Sequence, residues 1–352
     1  MVLEEFLNEW RNDSPTVLVH TSGSTGKPKP MWVEKEKMLN SARVTCDFLG
    51  LKPGDTALLC MPLDYIAGKM VVVRVIERHL RLVSVKPCGH PLASVEPTTF
   101  AAMVPMQVYN SMKVAEERAK LMRIKHLIIG GGAIDAELAS ELRGFPNHVW
   151  STYGMTETLS HIALRRLNGK EASDWYTPFD GVEIGRDEDD CLVIDAPLVH
   201  DGVLKTNDRV ELRMDSLTGK RQFRILGRKD NVIDSGGIKI QIEDVENRLR
   251  PCLRVPFMIT KMPDRKFGEA VVLLYEDKNG TVSTDGLLAL CSKALPAYWV
   301  PKRFVKVARL PMTETGKPAR AEAESMAESL TQVEAYNRHG SSYHKKQYPQ
   351  CY

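Results

Sequence analysis

The residue types best suited to chemistry are crowded into His20-Thr21-Ser22-Gly23-Ser24-Thr25-Gly26-Lys27-Pro28-Lys29-Pro30. From Thr21 to Lys29, four hydroxyl side chains, two glycines and two lysines share nine positions. Glycines let the backbone turn its N–H groups inward, hydroxyls add donors, and lysines add positive charge. Such a segment can wrap an anion such as a polyphosphate. It is not a Walker A loop. Thr21 stands where that motif begins with glycine, and Pro28 stands where Ser or Thr follows the lysine.

Other segments carry complementary groups. Ser151-Thr152-Tyr153-Gly154-Met155-Thr156-Glu157 offers an aromatic ring, hydroxyls and a carboxylate. A magnesium ion already bound to phosphates needs only one or two protein carboxylates, so Glu157 suffices as its ligand. Gly130-Gly131-Gly132-Ala133 allows close backbone approach to a ligand, although alone it reads as a strand-to-helix turn. Asp208 and Arg228, taken singly, are solvated loop charges, and Lys317 beside Gly316 is a surface lysine.

The elements that must position these groups alternate. The apolar run Thr16–Val19 is a strand leading into the hydroxyl-rich loop. Met38, Leu39, Ala42, Cys46 and Leu49 share a helical face, and Lys52-Pro53-Gly54-Asp55 turns the chain into a strand over 57–61. A helix over 70–76, strands over 81–85 and 100–104, one amphipathic helix over 108–122 and a strand over 126–129 follow. Asp135 is the expected N-cap of a helix over 136–142. This alternation predicts a mainly parallel α/β sheet, with both glycine-rich loops leaving strands at their carboxyl ends, where such sheets bind ligands. Short strands over 191–194, 209–213 and 222–225 come next. After the polar segment 227–231 the pattern restarts with a strand over 239–242, a helix over 243–249, hairpin-like strands over 257–261 and 270–275, a helix over 285–295 and a strand over 303–307.

Bulk composition narrows the class. The chain has 352 residues, 43% hydrophobic and 26% charged, the balance of an ordinary globular protein. A net charge of +3 is too mild to argue for nucleic acid or a membrane surface as partner. The seven cysteines are scattered without metal-ligand spacing, which reads as free thiols in a reducing compartment. With no secretory h-region and no long apolar run, the expectation is a cytoplasmic protein.

In order along the chain, the first loop, Tyr153-Gly154-Met155-Thr156-Glu157, Thr206-Asn207-Asp208, Gly227-Arg228-Lys229-Asp230, Ser235-Gly236-Gly237-Ile238-Lys239 and Thr315-Gly316-Lys317 resemble the motifs of the adenylate-forming superfamily. Those enzymes include acyl- and aryl-CoA synthetases, adenylation domains and luciferases, and the resemblance covers residues 16–320. Met61-Pro62-Leu63 with Gly68 and Arg74, Met103-Val104-Pro105-Met106-Gln107 and Gly130–Ile134 are most similar to the o-succinylbenzoate–CoA ligases of menaquinone synthesis.

The resemblance implies ATP, Mg²⁺ and coenzyme A as ligands, with a small-molecule carboxylic acid as substrate. Thr21, Ser22, Gly23, Ser24, Thr25, Gly26 and Lys27 would clamp the β- and γ-phosphates. Gly131, Gly132, Ala133, Ser151, Thr152, Tyr153 and Gly154 would hold adenine, with Tyr153 as its aromatic platform. Thr156 would meet a phosphate and Glu157 the metal. Asp208 would accept from both ribose hydroxyls and Arg228 would donate to the same sugar. Lys317 would be the catalytic lysine, offsetting charge at the pentavalent α-phosphorus. Asp230 would be a hinge that withdraws Lys317 and brings Gly236, Gly237 and Lys239 to the pantetheine channel. For the acid, the candidates are His20, Lys69, Arg74, Ser160 and His161; Arg74 in an apolar helix reads equally well as half of a structural ion pair. Asn207, Ile242 and Asp244 depart from the superfamily's usual glycine, proline and glutamate.

The expected architecture is a large N-terminal α/β domain over 1–229, a small mobile α+β domain over 230–325 and a disordered tail over 326–352. Relatives carry a long segment before the first loop, so the large domain is expected to be shortened, with an unusual sheet edge that a homodimer could cover. Other readings stay open: a ligase for a different aryl or acyl acid, or an adenylate-binding module without turnover.

Overall fold

A computed structural model describes residues 1–20, 30–277, 280–313 and 317–330. The chain divides into two compact units; among these residues the first ends at Ile225 and the second begins at Leu226.

In the first unit, α1 (Leu3–Arg11) precedes β1 (Thr16–His20), β2 (Pro30–Glu34) and α2 (Lys35–Leu49). The sequence pattern places the strand before the hydroxyl-rich loop in the parallel sheet. Instead, β1 pairs antiparallel with β2 in a two-stranded sheet, His20 opposite Pro30. The physical reason lies in burial: only Val17 and Val19 of β1 point inward, whereas a central parallel strand is buried on both faces. The outer edge of β1 is closed by side chains. Leu18 N–H donates to Glu9 Oε1 at 3.1 Å, and the Leu18 carbonyl accepts from Lys69 Nζ at 2.7 Å.

The main sheet is built from β3 (Thr56–Leu59), α3 (Ile66–Arg78), β4 (Arg81–Ser84), β5 (Phe100–Met103), α4 (Pro105–Met112), α5 (Ala115–Arg123), β6 (His126–Ile129), α6 (Ala136–Leu142) and β7 (His148–Gly154). Its strands lie parallel in the order β4-β3-β5-β6-β7. Antiparallel β8 (His161–Arg166) and β9 (Thr177–Pro178) extend it. β5 and β6 are buried at every position, as strands covered on both faces must be. The order reverses between β3 and β5, so the binding crevice of an open α/β sheet belongs at their carboxyl ends.

Asp135 caps α6 as expected, accepting from Leu138 N–H at 2.9 Å. The single helix expected over 108–122 is two helices. Val114 adopts an extended backbone between them, which its β-branching favours, and Glu117 turns inward to accept from Ser111 Oγ at 2.8 Å.

β10 (Glu183–Arg186), β11 (Cys191–Asp195), β12 (Val203–Met214) and β13 (Arg221–Arg228) form a four-stranded sheet in that order. A bridge between Tyr176 and Phe223 ties it to the end of the main sheet.

The second unit contains β14 (Val232–Ser235), β15 (Ile238–Gln241), α7 (Ile242–Leu249), β16 (Phe257–Asp264), β17 (Gly268–Glu276), α8 (Thr284–Ala294) and β18 (Arg303–Val307). β16 and β17 form the expected hairpin, and β18 joins β17 in parallel. One face of this sheet packs Ile233, Ile240 and Leu273 with residues of α7 and α8. The other packs Val272, Leu274 and Val305 against Ala323 and Ala327. A disordered tail is expected from residue 326; instead residues 320–330 are helical, and Ala323 and Ala327 are fully buried. Two alanines one turn apart make a narrow stripe that carries little hydrophobic signal yet permits close packing. Residues 331–352 lie outside the described residues. Among the described residues no helix is long and apolar enough to cross a membrane, and Cys46, Cys60, Cys88, Cys191, Cys252 and Cys291 are free thiols.

At the amino ends of β6 and β7, the His126 and His148 rings stack with centroids 5.1 Å apart. Both His126 ring nitrogens are buried without a hydrogen bond. Burial first, then the neighbouring His148, Lys125 and Arg166, push the His126 pKa down to about 4, while Asp55 opposes. The unfolded chain takes up that proton near the ordinary value of 6.5, so the folded state loses stability as pH falls through the window between 6.5 and 4. The thermal midpoint should therefore drop over that window, and His126→Phe should show a visibly shallower drop. Parallel melting curves for the two proteins would disprove this account.

Candidate functional site

Three of the nucleotide segments are organised around the carboxyl end of β7. The Gly130–Ala133 loop follows β6, and a Cβ built on Gly130 would lie 2.2 Å from Thr152 Oγ1, so a larger residue would have to displace the Thr152 side chain. Gly131 is left-handed at φ 80, and Gly131, Gly132 and Ala133 are exposed. Within β7, Ser151 and Tyr153 point inward while Thr152 is half-buried. Ser151 Oγ and the Tyr176 hydroxyl are 2.7 Å apart. The Tyr153 hydroxyl donates to Asp208 Oδ2 at 2.7 Å, which joins the β7 motif to the carboxylate on β12.

Tyr153, the expected aromatic platform, is largely enclosed. Its ring is 7% exposed and meets Tyr176 and Phe223 edge-on, because the Tyr176–Phe223 bridge brings both rings over it. Gly154 then passes close to the following turn: a Cβ there would sit 2.1 Å from the Ser160 carbonyl. Thr156 is buried and Glu157 is half-buried in that turn. No hydrogen bond or ion pair engages the Glu157 carboxylate among the described residues. Those residues also hold no cluster of three or more His, Cys, Asp or Glu able to bind a metal by itself. A lone carboxylate of this kind fits Mg²⁺ whose remaining ligands come from phosphate oxygens and water.

Of the five acid-binding candidates, the fold gathers three. Arg74 Nη2 donates to Ser160 Oγ at 2.7 Å and to Thr45 Oγ1 at 3.3 Å. His161 lies 3.2 Å from Ser160 Oγ through Nδ1 and 3.1 Å from Thr45 Oγ1 through Nε2. Thr45 Oγ1 also donates to the Ser41 carbonyl at 3.1 Å, so it must accept from the other two. The neutral imidazole therefore carries its proton on Nε2, and Nδ1 accepts from the Ser160 hydroxyl. Burial, then Arg74, hold His161 well below the ordinary histidine range. Arg74 is 1% exposed, has no ion pair among the described residues, and leaves Nε buried without a partner. Burial lowers its pKa to about 10, which still keeps it charged near neutrality.

The two remaining candidates stand apart from this cluster. Lys69 is buried over the Phe6 ring, and its ammonium is engaged at the edge of β1 by the Leu18 carbonyl and by Glu9 Oε2 at 3.4 Å. His20 ends β1 and bridges the Tyr65 backbone. Thr21, Ser22, Gly23, Ser24, Thr25, Gly26 and Lys27, the expected phosphate clamp, lie outside the described residues.

In the second unit, Arg228 Nη2 donates to Asp230 Oδ2 at 2.7 Å. Gly236 and Gly237 are exposed and left-handed, at φ 63 and 81, and make the turn from β14 to β15. Lys239 Nζ reaches Asp234 Oδ2 at 2.5 Å. Lys317 pairs with Thr313: its N–H donates to Thr313 Oγ1 at 3.0 Å and its carbonyl accepts from Thr313 N–H at 2.8 Å.

Sequence reasoning missed two polar residues. Thr45 is a fully buried hydroxyl on the apolar face of α2, and such a misfit is the signal that could have marked it. Gln107 ties the strand ends at the crevice. Its Nε2 donates to the Cys60 and Cys88 carbonyls, both at 3.0 Å, and its Oε1 accepts from Val104 N–H at 3.2 Å. A glutamine three residues past an N-cap is the sequence sign of that role.

Thr45→Val should strand both the Arg74 donor and His161 Nε2, at a cost of about 1–3 kcal/mol in urea unfolding. A loss within error of zero would mean that the ring contributes no stability.

The family described as AMP-binding enzyme matches residues 4–189. The 2-succinylbenzoate–CoA ligase of Salmonella typhimurium is 29% identical over 285 residues, 76% of this chain. The chain spans only 59% of that relative's length. An acyl-CoA synthetase (AMP-forming)/AMP-acid ligase II-like protein from Dyadobacter fermentans is 33% identical, with a TM-score of 0.60 covering 90% of this chain and 91% of that one. The o-succinylbenzoate CoA synthetase of Bacillus subtilis, in complex with its acyl-adenylate intermediate, shares the fold at TM-score 0.71 and 24% identity, covering 87% of this chain and 68% of that one. The chain belongs to the AMP-binding enzyme family.

Proposed function

We propose that the chain is an ATP-dependent acid–CoA ligase. In the first step a substrate carboxylate oxygen attacks the α-phosphorus of ATP, and pyrophosphate leaves. In the second the CoA sulfur attacks the acyl carbon, and AMP leaves with its phosphate oxygen. The observation that carries this reading is the Tyr153–Asp208 hydrogen bond. It fixes a carboxylate, suited to a ribose diol, beside the loop and strand whose glycines admit close ligand approach.

Within that reading, Asp208 holds the sugar, Thr156 meets a phosphate oxygen, and Glu157 supplies the protein ligand of Mg²⁺. The metal's chemistry is to neutralise phosphate charge. Lys317 is the catalytic lysine and Asp230 the hinge. Arg228 donates to the ribose, and Gly236, Gly237 and Lys239 serve the thioester step.

The acid we propose is 2-succinylbenzoate, a keto-dicarboxylate with one carboxylate to activate and a second to anchor. The names of the relatives support it, and so does a guanidinium buried without a carboxylate partner. Ser160 is the half-buried member of that cluster. On binding, its hydroxyl would turn from His161 Nδ1 to donate to the second carboxylate, with the Arg74 guanidinium behind it supplying the charge. The near-complete burial of Arg74 favours a second reading, in which the cluster is structural and the substrate is an aryl or acyl monocarboxylate.

Acid-dependent exchange of labelled pyrophosphate into ATP should occur, fastest with 2-succinylbenzoate; exchange with benzoates alone would select the second reading, and none with any acid would defeat both. Lys317→Ala should slow exchange by about 10²–10³-fold, the usual loss when one transition-state charge partner is removed. An undiminished rate in that variant would remove Lys317 from the chemistry. Ser160→Ala should raise the KM for 2-succinylbenzoate about tenfold or more while leaving that for ATP nearly unchanged.

A further inference from the structure

The turn from β7 to β8 holds a residue in an unfavourable backbone region. Leu159 is 2% exposed and left-handed, at φ 62, where a leucine Cβ crowds the backbone. Its N–H donates to the Thr156 carbonyl at 2.9 Å, and Ser160 N–H donates to the Thr158 carbonyl at 2.7 Å. The group that closes this turn is the Thr158 hydroxyl, in a residue with no exposed surface. It accepts from Met155 N–H at 3.0 Å and donates to the Ser160 carbonyl at 2.7 Å, with the Met155 carbonyl 3.1 Å away as a second acceptor. That same Ser160 carbonyl abuts Gly154, so the turn cannot shift toward the strand.

Thr156 and Glu157 therefore sit inside a loop whose two ends are pinned by one hydroxyl. Outside it, Ser160 continues into the hydrogen-bond ring with Arg74, His161 and Thr45. We propose that Thr158 is a positioning residue for adenylation. It sets the metal carboxylate of Glu157 and the acid-facing hydroxyl of Ser160 in one register, so that the two ligand contacts are won or lost together. The inference rests on the ligase reading and adds a residue to it.

The test compares Thr158→Val, which keeps the shape and removes the hydroxyl, with Thr158→Ser, which keeps the hydroxyl and removes the methyl. Pyrophosphate exchange is measured with 2-succinylbenzoate and with benzoate while Mg²⁺ and acid are varied separately. In the valine variant, the Mg²⁺ concentration for half-maximal rate and the acid KM should both rise about tenfold, and serine should stay within about threefold of wild type. A merely structural role would lower the thermal midpoint and leave both constants in place. Equal defects in valine and serine would assign the effect to methyl packing and overturn the proposal, as would a valine variant with wild-type constants. Should valine not fold, Thr158→Ala against serine reads the same two constants. Hydrogen exchange of the Met155 amide supplies a readout in the wild type: it should be slow, and exchange at the rate of an exposed amide would overturn the proposal. A wild type inert with both acids removes the ligase reading and this inference with it, whereas an active wild type with an unchanged valine variant removes only the inference.

Discussion

A guanidinium buried without a carboxylate is the constraint around which the first unit is arranged. Isolated buried charge is costly, and here hydroxyls meet the cost in place of an ion pair. Arg74 draws Thr45 from α2 and Ser160 from the turn after β7, and His161 closes the circuit between them. The Thr45 hydroxyl is committed to the Ser41 carbonyl, which fixes the imidazole tautomer, and the cluster keeps a positive charge, an unpartnered Arg74 Nε and no anion among the described residues. Such a cluster is specified tightly, because any lost partner leaves a buried group unsatisfied.

Close backbone approach is the second constraint, and it explains which glycines cannot change. Gly130 and Gly154 are not in left-handed conformations; they lack side chains because Thr152 Oγ1 and the Ser160 carbonyl occupy the space. The two contacts stack the loop after β6, strand β7 and the turn after it against one another. The Tyr153 hydroxyl then carries that stack to Asp208 on a different sheet. Residues distant in sequence thus meet through a short series of contacts between neighbouring elements.

Secondary elements of the first unit were largely legible because their signals are local. Helical spacing in α2, the Asp135 cap of α6 and the buried runs of β5 and β6 each depend on a few neighbouring residues. Errors arose where local signals were ambiguous. Thr16-Val17-Leu18-Val19 reads equally as half-buried or buried strand, and only its partner decides. The break at Val114 depends on Glu117 finding Ser111, and the helix over 320–330 depends on a sheet face that accepts two alanines.

By itself, the amino-acid sequence determined the family, because hydroxyls, glycines, carboxylates and lysines in a fixed order are properties of the chain. It also determined which residues were candidates for the acid. Tertiary structure alone decided which of the candidate site residues meet and which are enclosed, since burial and pairing are relations between elements. Lys69 is consumed by the edge of β1, Tyr153 is enclosed by two aromatic rings, and Arg74, Ser160 and His161 meet around a threonine that no motif had marked. A charge has the same symbol in the sequence whether it is solvated, paired or buried without an anion, and only the packed fold distinguishes the three.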